Sequence, residues 1–170
     1  MRSFLFAILV VPAIGAAETR GPIATPATFT VNSVADSPDL VLDGVCDAGA
    51  TRGGVTACML RAAIQEANFN PGSDTIEFDI PGCPDDICVI DIVTAGGNFL
   101  PDIQSPVVID GSTQPGNADV CELDIPQRSP YRVVLDGDGQ DIGMRLEAGS
   151  DGSVIRGLNF RNFTNAVQIS

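Results

Sequence analysis

Histidine, lysine and tryptophan are absent from this 170-residue chain, and each absence removes a class of chemistry. Without histidine there is no Ser-His-Asp or Cys-His catalytic unit, no histidine-bearing zinc site and no imidazole switch near neutral pH. Without lysine there is no Schiff-base chemistry and no phosphate-gripping lysine of the Walker kind. All nine cations are arginines, set against 22 Asp and Glu, for a formal net charge of −13. A pI near 4.1 opposes nucleic acid and anionic membranes as partners, because phosphate binding needs a basic stripe that releases counterions. One Tyr and eight Phe leave few platforms on which a sugar ring could stack.

What is present suggests an exported protein. Residues 1–17 combine Arg2, an apolar run from Phe4 to Ile14 and the small residues Gly15, Ala16 and Ala17, the anatomy of a signal peptide cleaved after Ala17. That run falls short of the ~20 residues a membrane span requires, so no membrane insertion is expected after cleavage. The expected address is secreted or cell surface. Residues 18–27, rich in Pro, Ala and Thr, read as an extended mobile segment. In an oxidising compartment the five cysteines become disulfide candidates. Cys46 and Cys58 bracket a Gly-rich loop and are paired on that ground. Cys83, Cys88 and Cys121 leave three thiols for one more bridge: Cys83 and Cys88 share one short acidic loop, and either can also pair with Cys121 in a later loop. Their spacings match no common zinc motif.

At 44% hydrophobic the chain can fill a core, and its length favours one domain. Eighteen Gly and twelve Pro favour turns over continuous helix. Residues 28–34 alternate as a strand, and 35–55 read as loop. A single helix is expected over 58–68, with Thr56 as N-cap and Leu60, Ala63, Ile64 and Ala67 forming one apolar stripe. Short strands follow with no second helix, which excludes a βαβ sheet. Three pentapeptides, Val107–Gly111, Val133–Gly137 and Ser153–Gly157, superpose at offsets of 26 and 20 residues. Such a repeat predicts an all-β right-handed parallel β-helix, a solenoid. In that register Ile109, Leu135 and Ile155 stack inside, and Asp136 lies beside Arg156. The helix, through Leu60, Ile64 and Ala67, would cap the open end. The final strand lacks a closing turn, so 28–170 are expected to be a cap and first coils continuing beyond Ser170.

Three segments in order, CMLRAAIQEAN (58–68), DTIEFDIPG (74–82) and SPVVIDGSTQPG (105–116), resemble the CSLREA-type domain of bacterial secreted or surface proteins of the pectin-lyase-like, right-handed parallel β-helix class. Met59 replaces the family's usual Ser or Thr, and Ala62 its Glu. The resemblance implies an extracellular address and the solenoid fold, and brings no catalytic residues.

Some β-helix relatives are polysaccharide lyases that use carboxylate-bound calcium and a basic residue, so Asp110, Asp136, Arg132, Arg145, Arg156 and Arg161 are the residues such chemistry could use. Solvated charges on the strand faces are the competing explanation. Asp136, Asp138 and Asp141 are candidate calcium ligands, although Asp141 stands where an EF-hand loop requires Gly, and a plain turn competes. The expected function is adhesion or glycan binding by the capping segment of a larger protein, without catalysis in this segment. The alternative is the N-terminal part of an extracellular polysaccharide lyase or glycoside hydrolase. Extracellular polysaccharide or a cell-surface glycan is the expected partner, and calcium the one expected cofactor.

Overall fold

The computed structural model of the chain describes residues 25–92, 99–116 and 131–170. The signal peptide at 1–17, all but the end of the 18–27 segment, and Cys121 lie outside the described residues. Alternation of apolar and polar side chains builds each strand. In β1 (Thr28–Val31) Phe29 and Val31 point inward, and in β4 (Asp74–Phe78) Ile76 and Phe78 do so. Two short strands, β2 (Thr51–Arg52) and β3 (Val55–Thr56), form an antiparallel hairpin inside the stretch read as loop. Helix α1 (Leu60–Phe69) follows. The remaining strands are β5 (Cys88–Asp91), β6 (Val107–Asp110), β7 (Val133–Leu146), β8 (Val154–Arg156) and β9 (Leu158–Ile169).

Apart from the hairpin, every strand pairing among the described residues is parallel. One sheet has the order β1-β4-β6-β8, and a second has the order β5-β7-β9. Phe29, Ile76, Ile109 and Ile155 form one lateral column, and Ile90, Leu135 and Phe160 form another. Ile76, Ile90, Ile109 and Leu135 are fully buried, and each such side chain contributes about 1.5–3 kcal/mol relative to exposure. Gly157 turns the chain out of the first sheet into the second: its φ is +70°, and a Cβ there would overlap the backbone of Gly111 and Ser112.

These findings correct the expected all-β right-handed parallel β-helix. The described residues form two small, mostly parallel sheets with one short helix, and no closed solenoid is formed among them. The similar pentapeptides do not mark one place in successive coils. Val107–Asp110 joins the first sheet and Val133–Asp136 the second. Ile155 therefore stacks on Ile109 and not on Leu135, and Asp136 neighbours Arg161 while Arg156 neighbours Asp110. Linked strand neighbours lie 46 and 25 residues apart in these two cases.

The helix begins at Leu60 with Met59 as N-cap and no capping side chain, so Thr56 does not cap it. It packs on β1 and β4, at the end of the first sheet away from β8, with Leu60, Ile64 and Ala67 in the core. Burial extends beyond the apolar stripe, because Arg61, Ala62 and Glu66 are also covered. Arg61 grips Asp36 through two hydrogen bonds of 2.7 Å and donates to the Phe99 carbonyl at 2.8 Å. Asn68 donates to the Asp102 carbonyl and accepts from the Gln104 N–H. The helix thus ties two irregular segments to the sheet.

Candidate functional site

Two disulfides fasten the described chain: Cys46 to Cys58, and Cys83 to Cys88. They are compatible with an extracytoplasmic protein. No helix among the described residues is long and apolar enough to cross a membrane. The first bridge anchors the end of the loop that leads into Cys46, and the backbone of that loop is held by carboxylates. Glu66, fully buried, accepts the N–H groups of Asp43 and Gly44, and Asp39 accepts those of Val41 and Asp47. Burial raises the Glu66 carboxyl above its ordinary value against the pull of those two N–H groups, and the charges of Asp39 and Asp43 raise it further. On this pinned loop Leu40, Val41, Leu42 and Val45 stand exposed.

The strongest interaction feature is the opposite end of the molecule. β8 and β9 are the outermost strands of their sheets, and their inward side chains are incompletely covered. Phe160, Phe163 and Ile155 are only partly buried against the core, Val167 is 40% exposed and Ile169 81% exposed. The Ser170 N–H bonds to the Leu146 carbonyl, so strand alternation directs the N–H and C=O groups of Val167 and Ile169 to the open side. Unpaired backbone groups beside half-covered apolar side chains are what a sheet edge offers an added strand.

Charges border this edge. Arg156 Nη2 donates to Asp110 Oδ2 at 2.5 Å, and Arg161 Nε to Asp136 Oδ2 at 2.7 Å. Burial pushes the Asp110 carboxyl up, but the Arg156 and Ser112 hydrogen bonds and the Arg156 charge outweigh it, leaving a value below ordinary. Asp136 also lies below its ordinary value, held there by the Asn162 amide, the Asp138 N–H and Arg161 against slight desolvation.

The other sequence-derived residues separate. Arg132 reaches the Gly116 carbonyl at 2.6 Å and Asp86 at 3.6 Å, while Arg145 pairs with Asp102 at 3.7 Å. Hence the arginines and carboxylates suggested for lyase chemistry form separate pairs spread over both sheets. Asp136, Asp138 and Asp141 do not converge either. Asp136 is occupied by Arg161 and Asn162, Asp141 accepts from the Thr164 hydroxyl at 3.4 Å, and no group of three His, Cys, Asp or Glu side chains among the described residues is placed to hold a metal ion. Asp138 and Gly139 instead form a left-handed turn where β7 slips register against β9, leaving a shallow open concavity lined also by Asn162, Phe163 and Thr164. Sequence reasoning missed the buried clamps of Glu66, Arg61 and Gln114. Gln114 accepts the Ile80 N–H and donates to the Ile80 carbonyl, at 2.9 and 3.0 Å. Only its position in the third resembling segment marked it.

No family model, curated protein or solved structure matches the chain, so its functional reading rests on its own geometry.

Proposed function

We propose that this chain is an adhesion module, secreted or held at the cell surface, that binds by adding an extended strand to the β8–β9 edge, without catalysis in the described residues. The observation that carries the reading is the pairing of outward-directed backbone groups at Val167 and Ile169 with the exposure of those same side chains. The two disulfides support an oxidising compartment. Carboxylate-arginine pairing favours binding over chemistry: Asp110 and Asp136 are each neutralised by a hydrogen-bonded guanidinium, and a general base needs a free carboxylate in a shaped groove.

Short peptides of alternating apolar and polar residues, titrated into the isotopically labelled protein, test the reading by backbone NMR. Shifts are expected along β8 and β9. They should vanish in Ile169→Pro, which removes an edge N–H that donates to no neighbouring strand of the described fold. Saturating peptide without edge shifts, or binding unaffected by that substitution, refutes it.

A further inference from the structure

The residue that follows the inward apolar position changes sign at both open edges, and only there. In the first sheet Ile76-Glu77 lies beside Ile109-Asp110, which lies beside Ile155-Arg156. In the second, Ile90-Asp91 lies beside Leu135-Asp136, which lies beside Phe160-Arg161. The first column, which begins with Thr30 on β1, reads threonine, acid, acid, arginine and the second reads acid, acid, arginine, so both arginines sit on an outermost strand. Carboxylates directly opposite one another are destabilising, and an opposite charge relieves them. The relief is only half used. Each guanidinium has five N–H donors, yet among the described residues Arg156 bonds only Asp110 and Arg161 only Asp136. Their side chains remain 62% and 50% exposed, while those of the two aspartates are 8% and 13% exposed.

We infer that the β8–β9 edge selects its strand by charge: it takes an extended, parallel polypeptide carrying an apolar residue followed by Asp or Glu. The apolar residue falls opposite Ile155 or Phe160, and the carboxylate opposite Arg156 or Arg161. An added strand lies about 4.8 Å away, within reach of the unused side of the guanidinium. A partner with Arg or Lys at that position meets a like charge, and one with a polar residue before it leaves Ile155 or Phe160 uncovered. The inference rests on the strand-adding edge proposed above and names what that edge recognises.

Two peptides that differ at one position test it, Ser-Val-Val-Ile-Asp-Gly-Ser and Ser-Val-Val-Ile-Arg-Gly-Ser. Each is titrated into the full chain with amide shifts of β8 and β9 as the readout. The Asp peptide is expected to bind roughly fivefold more tightly than the Arg peptide, the scale of a cross-strand charge reversal. The preference should flatten in the Arg156→Gln, Arg161→Gln double variant and reverse in Arg156→Glu, Arg161→Glu, with far-ultraviolet circular dichroism confirming that both variants fold. Equal affinity of the two peptides, with edge shifts for both, overturns charge selection and leaves the strand-adding edge standing. Edge shifts with neither peptide overturn both. A preference that survives the Gln variant also overturns the inference, because the arginines would then not be its source.

Discussion

Replacing Arg61 by Met tests how the helix holds the irregular N-terminal segment. Arg61 and Asp36 meet through two hydrogen bonds of 2.7 Å, with side-chain exposures of only 10% and 4%. The substitution removes the cation but keeps most of the bulk, so Asp36 is left as a buried carboxylate without its partner and the Phe99 carbonyl loses a donor. Breaking one side of a buried ion pair costs about 3–5 kcal/mol, mainly through the stranded charge. At about 2–4 °C per kcal/mol for a chain of this size, the melting temperature should fall by about 6–20 °C. Urea unfolding of the oxidised protein, followed by circular dichroism, measures the loss. The second arm replaces both partners, Arg61→Met with Asp36→Leu, and should recover much of it, since apolar residues of similar shape often substitute for a buried pair at little net cost. A single variant within about 1 kcal/mol of the parent would refute the reasoning, because such a value belongs to an exposed pair. So would a double variant no more stable than the single one, which would place the cost in lost packing rather than stranded charge.

Stability should peak in mildly acid solution, not at neutrality. The Asp110 and Asp136 carboxyls lie below their ordinary value of 3.8 in the fold, so their contribution is present above that value and is lost as pH falls through the lowered ones. Glu66 lies above its ordinary 4.5, so its contribution is present below 4.5 and is lost as pH rises through the raised value. Urea midpoints from strongly acid to neutral pH check both signs, and Asp110→Asn should flatten the acid limb. Among the disulfides, converting Cys46 and Cys58 to Ser should cost about 3 kcal/mol and converting Cys83 and Cys88 about 2 kcal/mol, following loop-closure entropy for separations of 12 and 5 residues. Denaturant titration of the two double variants decides the order.

Alternation made the strands readable in the sequence, because a period of two reports which side chains face inward. It could not report which strand lies beside which. Val107–Asp110 and Val133–Asp136 have nearly identical local patterns and lie in different sheets, since neighbour choice depends on the length and path of what connects them. The helix was legible from Leu60, Ala63, Ile64 and Ala67, but Arg61 and Glu66 lie outside that stripe and nothing in the pattern marked them as buried. Only the covering segments, which supply Asp36 and the N–H groups of Asp43 and Gly44, make their burial affordable. The edge was partly legible: the pentapeptide register sets Arg156 beside Asp136, while the pairing that sends Arg156 to Asp110 and Arg161 to Asp136 required the corner at Gly157.

The two edge arginines also bear on how copies of this protein meet in a crowded compartment. Outermost strands carrying exposed Val167 and Ile169 would ordinarily invite like edges to zip together into fibres. When two such edges approach, however, each brings guanidiniums of the same sign to the seam, where they must shed water against one another. Homotypic polymerisation is thereby penalised at the surface where it would otherwise be easiest, in a chain whose remaining charge is overwhelmingly negative. Arginine on β8 and β9 thus sets a like-charge penalty on the pairing of one such edge with that of another copy.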